Sequence, residues 1–448
     1  MELTNLDYIF IILYFLCIGV VVVFSKEKVT YSRDSYILMN KNLNGFSFTN
    51  SFIASTFGGL SLATYSSLTF SVGFTIIWFL MGMFLALLVL IPMMSKLKEL
   101  SQKHNFYSFN DFIEYKFGKD VGLLCSIIMV IFMGVIVISQ FIVGTQILTA
   151  LTNWSYEVSV LLMGLVVITY LLLGGFRSVV KTDIIQNIGL SFIVLLCGYV
   201  IISQGVSFST FEYDVFSAGY GLSLLFLLYG FSSIIAFTPI WQYVYASKKS
   251  VNISKCLSIG LGIVSILALG IIIMSLYVKS LGIETAPEVV LVYAISELLP
   301  EGLVGLALVV IFAAIMSTVD SALFLVSMYA SNDIIAKFTR INIVRVLKIL
   351  IILFGIISTL IAMFLTDLIG IIMSAYNFAL VLIVPIIVGL YLKSSNNSIF
   401  ISMFLGAIAA TLGLFMQIPQ IEWIVMGVCV GGFLITELIT KNSNYIRK

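Results

Sequence analysis

The chain has 448 residues, 61% of them hydrophobic and only 10% charged, with a mean hydropathy of +1.16, a balance that excludes a soluble domain of this length and reads as a polytopic membrane protein. Its net charge of +2 is dispersed over short loops without a basic patch, so no nucleic-acid partner is expected. His104 is the only histidine and lies in a polar loop, and Cys17, Cys125, Cys197, Cys256 and Cys429 lack metal-type spacing; histidine metal sites, zinc sites and Ser-His-Asp catalysis drop out together.

Apolar runs of about 20 residues mark membrane-spanning helices. In chain order they fall at 5–25, 46–70, 73–95, 121–151, 156–174, 179–203, 220–246, 253–280, 301–331, 342–364, 367–392, 398–416 and 420–440. No basic region precedes the first run, so it is expected to stay as a span and not to be cleaved as a signal peptide. Polar stretches at 95–120 and 285–299 are expected to carry short surface helices, the first around 109–116. With the N-terminus outside and the C-terminus cytoplasmic, every Lys and Arg except Lys279 falls on the inner side, as cytoplasmic loops require. Adding or dropping one central span would reverse every later loop and destroy that agreement.

Two spans look discontinuous. The second contains Ser55-Thr56-Phe57-Gly58-Gly59, and the seventh contains Tyr229-Gly230-Phe231-Ser232-Ser233 followed by Pro239. Their matched places, five spans apart, predict an inverted repeat. The expected architecture is all-α: a single transmembrane domain of about thirteen helices, with a leading helix (5–25), two five-helix repeats (46–203 and 220–392) and two trailing helices (398–440).

The ninth span holds the clearest chemistry. At about 100° per residue, Ala314, Ser317, Thr318 and Ser321 share one helix face, three hydroxyls and a small residue that could ligate a hard cation or let a neighbouring helix approach. Asp320 flanks that face. Asp183, beside Thr182 at the start of the sixth span, is the second acidic candidate. Both acids lie in the inner half of the membrane, where an ionisable residue is a functional candidate. Sodium prefers oxygen ligands, and an unwound helix supplies free carbonyls, so carbonyls near Ala54 and Phe57 facing Ala314, Ser317 and Thr318 would complete a five-oxygen cage.

Gly174-Gly-Phe-Arg, Thr182-Asp183 and Gln186, together with Ala313 to Ser321 and Ala54-Ser-Thr-Phe-Gly58, resemble the signature regions of the sodium/solute symporter family. Asp34-Ser-Tyr-Ile-Leu and the stretch from Phe109 to Gly118 resemble it more softly. The resemblance implies a LeuT-like inverted-repeat fold with an extra leading helix. It also implies a sodium site formed by the carbonyls of Ala54, Phe57 and Ala314 with the hydroxyls of Ser317 and Thr318. A second sodium, present in some members, would involve Asp183 and Thr182 with the positions of Asp320 and Ser321. The implied solute pocket takes Thr56, Gly59, Leu60 and Ser61 from the first break and Phe231, Ser232 and Ser233 from the seventh span, with Trp78, Gln140 and Asn377 from neighbouring spans.

The resulting expectation is a sodium-coupled symporter in a bacterial inner membrane, embedded in the lipid bilayer as a monomer. It would import a small polar organic solute of the amino-acid, organic-acid, sugar or sialic-acid class by alternating access. Phe237-Thr238 and Tyr243 stand where sugar-transporting members carry a more polar set, and no Arg in the fourth span is available to pair a sialic-acid carboxylate. Two alternatives stay open: a proton-coupled transporter using Asp183 or Asp320, and a membrane solute sensor without net transport. An enzyme is not expected, since no His-Glu-x-x-His, no Gly-x-Ser-x-Gly and no histidine within a span occurs.

Overall fold

The computed structural model describes residues 32–446 apart from 153, 204–210, 284–286, 300–302, 340–341, 366–367, 417 and 419, together with a few isolated positions before residue 21. The leading span expected at 5–25 thus lies outside the described residues as an element. Among the described residues the fold is all-α, with ten helices long and apolar enough to cross a membrane.

A short helix, α1 (Arg33–Leu38), precedes the first discontinuous span; it lies at the end of the molecule that the Lys and Arg distribution would place inside, and inner and outer are used in the sense of that expected orientation. That span is two helices, α2 (Gly45–Thr56) and α3 (Gly59–Val72), separated by Phe57 and Gly58. Phe57 leaves the helical region at φ −116°, ψ 55°, and Gly58 is extended at φ −95°, ψ −163°. The glycine is there for closeness and not for backbone freedom: a methyl group at Gly58 would fall onto the Thr318 side chain, 2.9 Å from its Cβ and 3.1 Å from the Ala314 carbonyl oxygen.

Helix α4 (Ile77–His104) runs well past the expected end of the third span, so the polar stretch at 95–120 begins as membrane helix and only then turns into α5 (Phe109–Phe117). Helix α6 (Lys119–Thr152) follows, then α7 (Tyr156–Ser203). The expected turn between the fifth and sixth spans is a kink within α7, confined to Gly175 at φ 57°, ψ −161°, a conformation that L side chains avoid. Arg177 and Lys181 consequently sit in the first turns of the inner half of α7 and not in a loop.

The seventh span is also two helices, α8 (Tyr220–Ile235) and α9 (Thr238–Ala246), but its break lies at Ala236 and Phe237 and not at the glycine motif. Gly230 is inside a regular helix and serves close packing: a methyl there would come 2.7 Å from the carbonyl carbon of Phe79. Pro239, in the first turn of α9, is where a missing N–H costs nothing.

Helix α10 (Ile253–Ser280), the short outer helix α11 (Val290–Leu298) and α12 (Val304–Met328) come next. The most apolar part of α12 is enclosed on all sides, packed against α6 and α7, so its polar residues never face lipid. Its inner end widens into a π-helical segment, Tyr329–Ile335. Helices α13 (Ile343–Phe364), α14 (Leu368–Val381) and α15 (Ile383–Tyr391) lead to the trailing pair α16 (Asn396–Met416) and α17 (Ile421–Ile446), which pack on each other.

Two features tie the inner ends together. The Leu43 N–H donates to the Ala246 carbonyl at 2.9 Å and the Lys248 N–H to the Leu43 carbonyl at 2.9 Å, a two-bond ladder between the segment entering α2 and the segment leaving α9. The Lys98 ammonium at the inner end of α4 donates to the carbonyls of Lys248 (2.6 Å), Lys249 (3.3 Å) and Val251 (3.0 Å). Elsewhere on this face, Arg33 donates to Asn332 and lies over the Tyr107 ring at 3.8 Å, and Lys337 pairs with Glu114.

Candidate functional site

The break between α2 and α3 faces α12. Ser317 donates to the Ala314 carbonyl at 2.7 Å and reaches across to the Ala54 carbonyl at 3.2 Å, while Thr318 packs on Gly58. Oxygen atoms of Ala54, Ala314, Ser317 and Thr318, on two different helices, thus lie close to the break. Phe57 is buried at the break itself, where the chain is no longer helical.

Polar atoms near that point lack protein partners. The Thr56 and Thr318 hydroxyls and both ends of the Gln140 amide are buried without a hydrogen bond. Gln140 faces the break, since a methyl on Gly59 would come 2.8 Å from its Oε1. Buried polar groups are ordinarily satisfied, so such a concentration has the chemistry of a site for an ion or a polar solute. The oxygen-only donor set, carbonyl and hydroxyl, fits a hard monovalent cation and offers nothing to a soft metal.

A cavity of about 60 Å³ opens beside it. Thr56 and Ser61 from the first break line it, with Ser233 and Phe237 from α8 and the second break, and Thr318 and Ser321 from α12. Phe79, Met83, Phe132, Met133, Ile136 and Tyr376 supply an apolar wall. Ser61 donates to the Thr56 carbonyl at 2.6 Å and Ser233 to the Gly230 carbonyl at 2.7 Å, which fixes both hydroxyls.

Several expected pocket residues lie elsewhere. Trp78 donates its indole N–H to the Val215 carbonyl at 2.9 Å and meets the Phe216 ring at a tilt, centroids 5.4 Å apart, anchoring the segment before α8. Phe231 packs its backbone on Gly82, and Ser232 is buried with its hydroxyl turned back to the Tyr229 carbonyl at 3.0 Å. Neither lines the cavity, although Ser233 of the same regular helix does. Asn377 accepts from the Tyr229 hydroxyl at 3.1 Å and is set behind Tyr376, which does line the cavity. Leu60 occupies the first turn of α3.

The acidic pair forms a second cluster. Asp183 and Asp320 are both fully buried and close enough for their charges to repel. Ser51 is the hydroxyl acting on Asp183, yet neither Asp183 oxygen closes a well-formed hydrogen bond, and among the described residues no Lys or Arg pairs with it. Asp320 Oδ1 accepts from the Ser321 N–H at 2.7 Å. The Thr182 hydroxyl turns away, donating to the carbonyls of Ser178 (3.0 Å) and Val179 (2.9 Å) of its own helix. Tyr243, from α9, bridges this cluster to the break: its hydroxyl is 2.7 Å from Ser55 and also acts with Ser321. Sequence reading missed Ser51, Ser55 and Tyr243 as site residues. The spacing of Ser51 and Ser55, one helical turn apart just before the break, was the available signal.

Residues 36–409 match the Sodium:solute symporter family. The chain is 24% identical over 366 residues to a sodium/sialic acid symporter, NanT, of Aliivibrio fischeri, covering 75% of this chain and 71% of the relative. It is 23% identical over 348 residues to a sodium/proline symporter of Staphylococcus aureus, covering 73% and 67%. Its fold is similar to that of a Na+-coupled sialic acid symporter in a substrate-bound outward-open state, with a TM-score of 0.79 at 19% identity over 97% and 98% of the two chains. The nucleobase-cation-symport-1 transporter Mhp1 follows at 0.56 and 14%, over 92% and 96%. An all-helical membrane chain of LeuT-like fold, matched along most of its length, this protein belongs to the sodium:solute symporter family and is a sodium-coupled transporter, not an enzyme.

Proposed function

We propose that sodium is held between the Ala54, Phe57 and Ala314 carbonyls and the Ser317 and Thr318 hydroxyls, and that it carries in a small, amino-acid-like zwitterion. One observation carries this reading: Thr318 both packs on the break that supplies the carbonyls and lines the cavity. An ion there would draw α2 and α12 together and set one wall of the solute cavity in the same act. Its leverage on the conformational equilibrium equals its difference in affinity between the two states and no more.

Among the described residues no charged side chain lines the cavity, so a carboxylate would be received by the free N–H groups at the start of α3 and an ammonium by helix-end carbonyls at the breaks. The Phe, Met and Ile wall suits a compact apolar body better than a polyhydroxylated one, which favours an amino acid of the size of proline over a sugar or sialic acid. At about 60 Å³ the cavity is well below the few hundred Å³ of an ordinary ligand pocket. Solute entry therefore requires the helices around it to part, as alternating access does. The distribution of Lys and Arg supports an orientation with the N-terminus outside and the C-terminus cytoplasmic, in a bacterial inner membrane.

Asp183 and Asp320 support a second cation. Two buried carboxylates in mutual repulsion favour uptake of a cation or of a proton. Sodium held by Asp183, Asp320 and Ser321 gives two ions per cycle, and a proton gives a mixed cycle.

The test is uptake of labelled proline and a panel of small amino acids into proteoliposomes under an inward sodium gradient. Ser317→Ala with Thr318→Ala is expected to abolish sodium stimulation. Undiminished stimulation in that variant would remove the assigned ion site.

A further inference from the structure

A second opening, a groove of about 730 Å³, lies between the inner ends of α2, α7 and α10. Its polar end is built for an anion. The N-termini of α2 and α10 both meet there, capped by Asn44 and Asn252, each of which accepts from one backbone N–H only, at 2.8 Å from Ser47 and 3.0 Å from Lys255. The other first-turn N–H groups have no partner within their helices, and each helix end carries partial positive charge. Lys248 and Lys255 line the same end, both exposed, and among the described residues neither forms an ion pair.

A second, independent feature points to a ligand. Asn187 of α7 is 6% exposed and lines the groove. Its Nδ2 donates to Asn50 Oδ1 at 2.8 Å, and Asn50 in turn donates to the Phe46 carbonyl at 3.0 Å, which fixes the orientation of the amide. Asn187 Oδ1 is left buried with no hydrogen bond. The site thus offers two positive helix ends and two ammonium groups for a phosphate, and a single buried acceptor for a hydroxyl or ammonium hydrogen beyond it.

The rest of the groove is apolar and continues onto the lipid face. Ile259 and Ile263 line it, and Ile266 of α10 and Ile188 of α7 carry the same stripe outwards, exposed by 59% and 61%. An anion-accepting end joined to an exposed apolar track has the form of a phospholipid and not of a soluble anion. We propose that this groove is a specific site for an anionic phospholipid of the phosphatidylglycerol type. Its phosphate lies on Lys248, Lys255 and the two helix N-termini, its headgroup hydroxyl donates to Asn187, and an acyl chain lies along α10. The placement in the cytoplasmic leaflet rests on the orientation argued above. Because α2 is the helix that also carries Ala54, a lipid seated there would bear on the sodium site through one rigid helix.

The test is native mass spectrometry of the purified full-length protein released from detergent after equilibration with equal dioleoylphosphatidylglycerol and dioleoylphosphatidylcholine. Retention in detergent depends neither on orientation nor on transport, so its failure would leave those readings untouched. One preferentially retained phosphatidylglycerol is expected. Lys248→Gln with Lys255→Gln should weaken the preference by roughly thirtyfold, the combined effect of two interfacial lysines, and Asn187→Leu should reduce it without altering net charge. Lys103→Gln with Lys393→Gln removes the same charge elsewhere and should leave it intact. Equal retention of the two lipids, or equal loss in the control pair, overturns the proposal. So does competition by millimolar inorganic phosphate as effective as that by the lipid, which would indicate a plain anion site.

Discussion

Gly58→Ala is the sharpest perturbation of the ion site, because it changes no ligand. The new methyl would fall onto the Thr318 side chain, at 2.9 Å from its Cβ and 3.1 Å from the Ala314 carbonyl oxygen. Carbon atoms rest about 3.5–4.0 Å apart, so α2 and α12 must separate by roughly 0.6–1.1 Å along that line. Turning the Thr318 hydroxyl away offers no relief, since its Cβ and the neighbouring carbonyl are themselves too close, and β-branched residues have little rotamer freedom in a helix. Overpacking of this kind costs about 1–3 kcal/mol. Separating the two helices moves the Ala54 carbonyl away from Ser317 and Thr318, so apparent sodium affinity should fall by about 10- to 100-fold, comparable to losing a supporting contact. The assay is sodium-dependent solute uptake across a sodium titration, with sodium-induced thermal stabilisation measured in parallel. The companion variant Thr318→Ser keeps the hydroxyl and should retain most of the affinity. Gly58→Ala protein that folds and responds to sodium at wild-type concentrations would refute the view that sodium joins these two helices.

Asp183→Asn and Asp320→Asn should each change ion stoichiometry, read as a shift of the sodium-to-solute ratio from reversal potentials. If both variants keep the wild-type ratio under sodium and under proton gradients alike, the acidic pair holds no transported cation. Gly230→Ala should behave as a folding lesion, lowering yield and melting temperature while sodium affinity of the surviving protein stays normal; an effect on sodium alone would contradict its role in packing on Phe79. Lys98→Met removes three hydrogen bonds to backbone carbonyls and is expected to destabilise by about 1–3 kcal/mol, with increased proteolysis after Lys248 and Lys249 as the readout. An unchanged cleavage rate would mean that water replaces the ammonium without loss.

The all-helical membrane architecture was legible because a membrane imposes it: apolar length marks the helices, ten of which are long and apolar enough to cross a membrane among the described residues. The first break was readable for a chemical reason, since Gly58 and Gly59 sit where two helices touch. The second was misread for the mirror-image reason. Gly230 looked like a break and is a packing glycine, whereas the interruption at Ala236 and Phe237 bears no glycine and is announced only by Pro239. Whether a glycine loosens a helix or lets a neighbour in depends on that neighbour, here Phe79, and the neighbour is invisible in a single sequence. The same limit separates Trp78, held on an outer carbonyl, from Tyr376, which lines the cavity and follows no motif. Thr182, adjacent to Asp183 in sequence, bonds into its own helix. Tyr243, far along the chain, joins the acidic cluster to the break because α9 returns beside α2.

The ladder between Leu43 and the residues around Ser247 has a mechanical consequence. It joins the segment entering α2 to the segment leaving α9, so the half-helices on one side of the two breaks are linked through their backbones. The Lys98 ammonium, holding the adjoining carbonyls, ties α4 to the same junction. A displacement of either half-helix must therefore carry the other with it or break these hydrogen bonds.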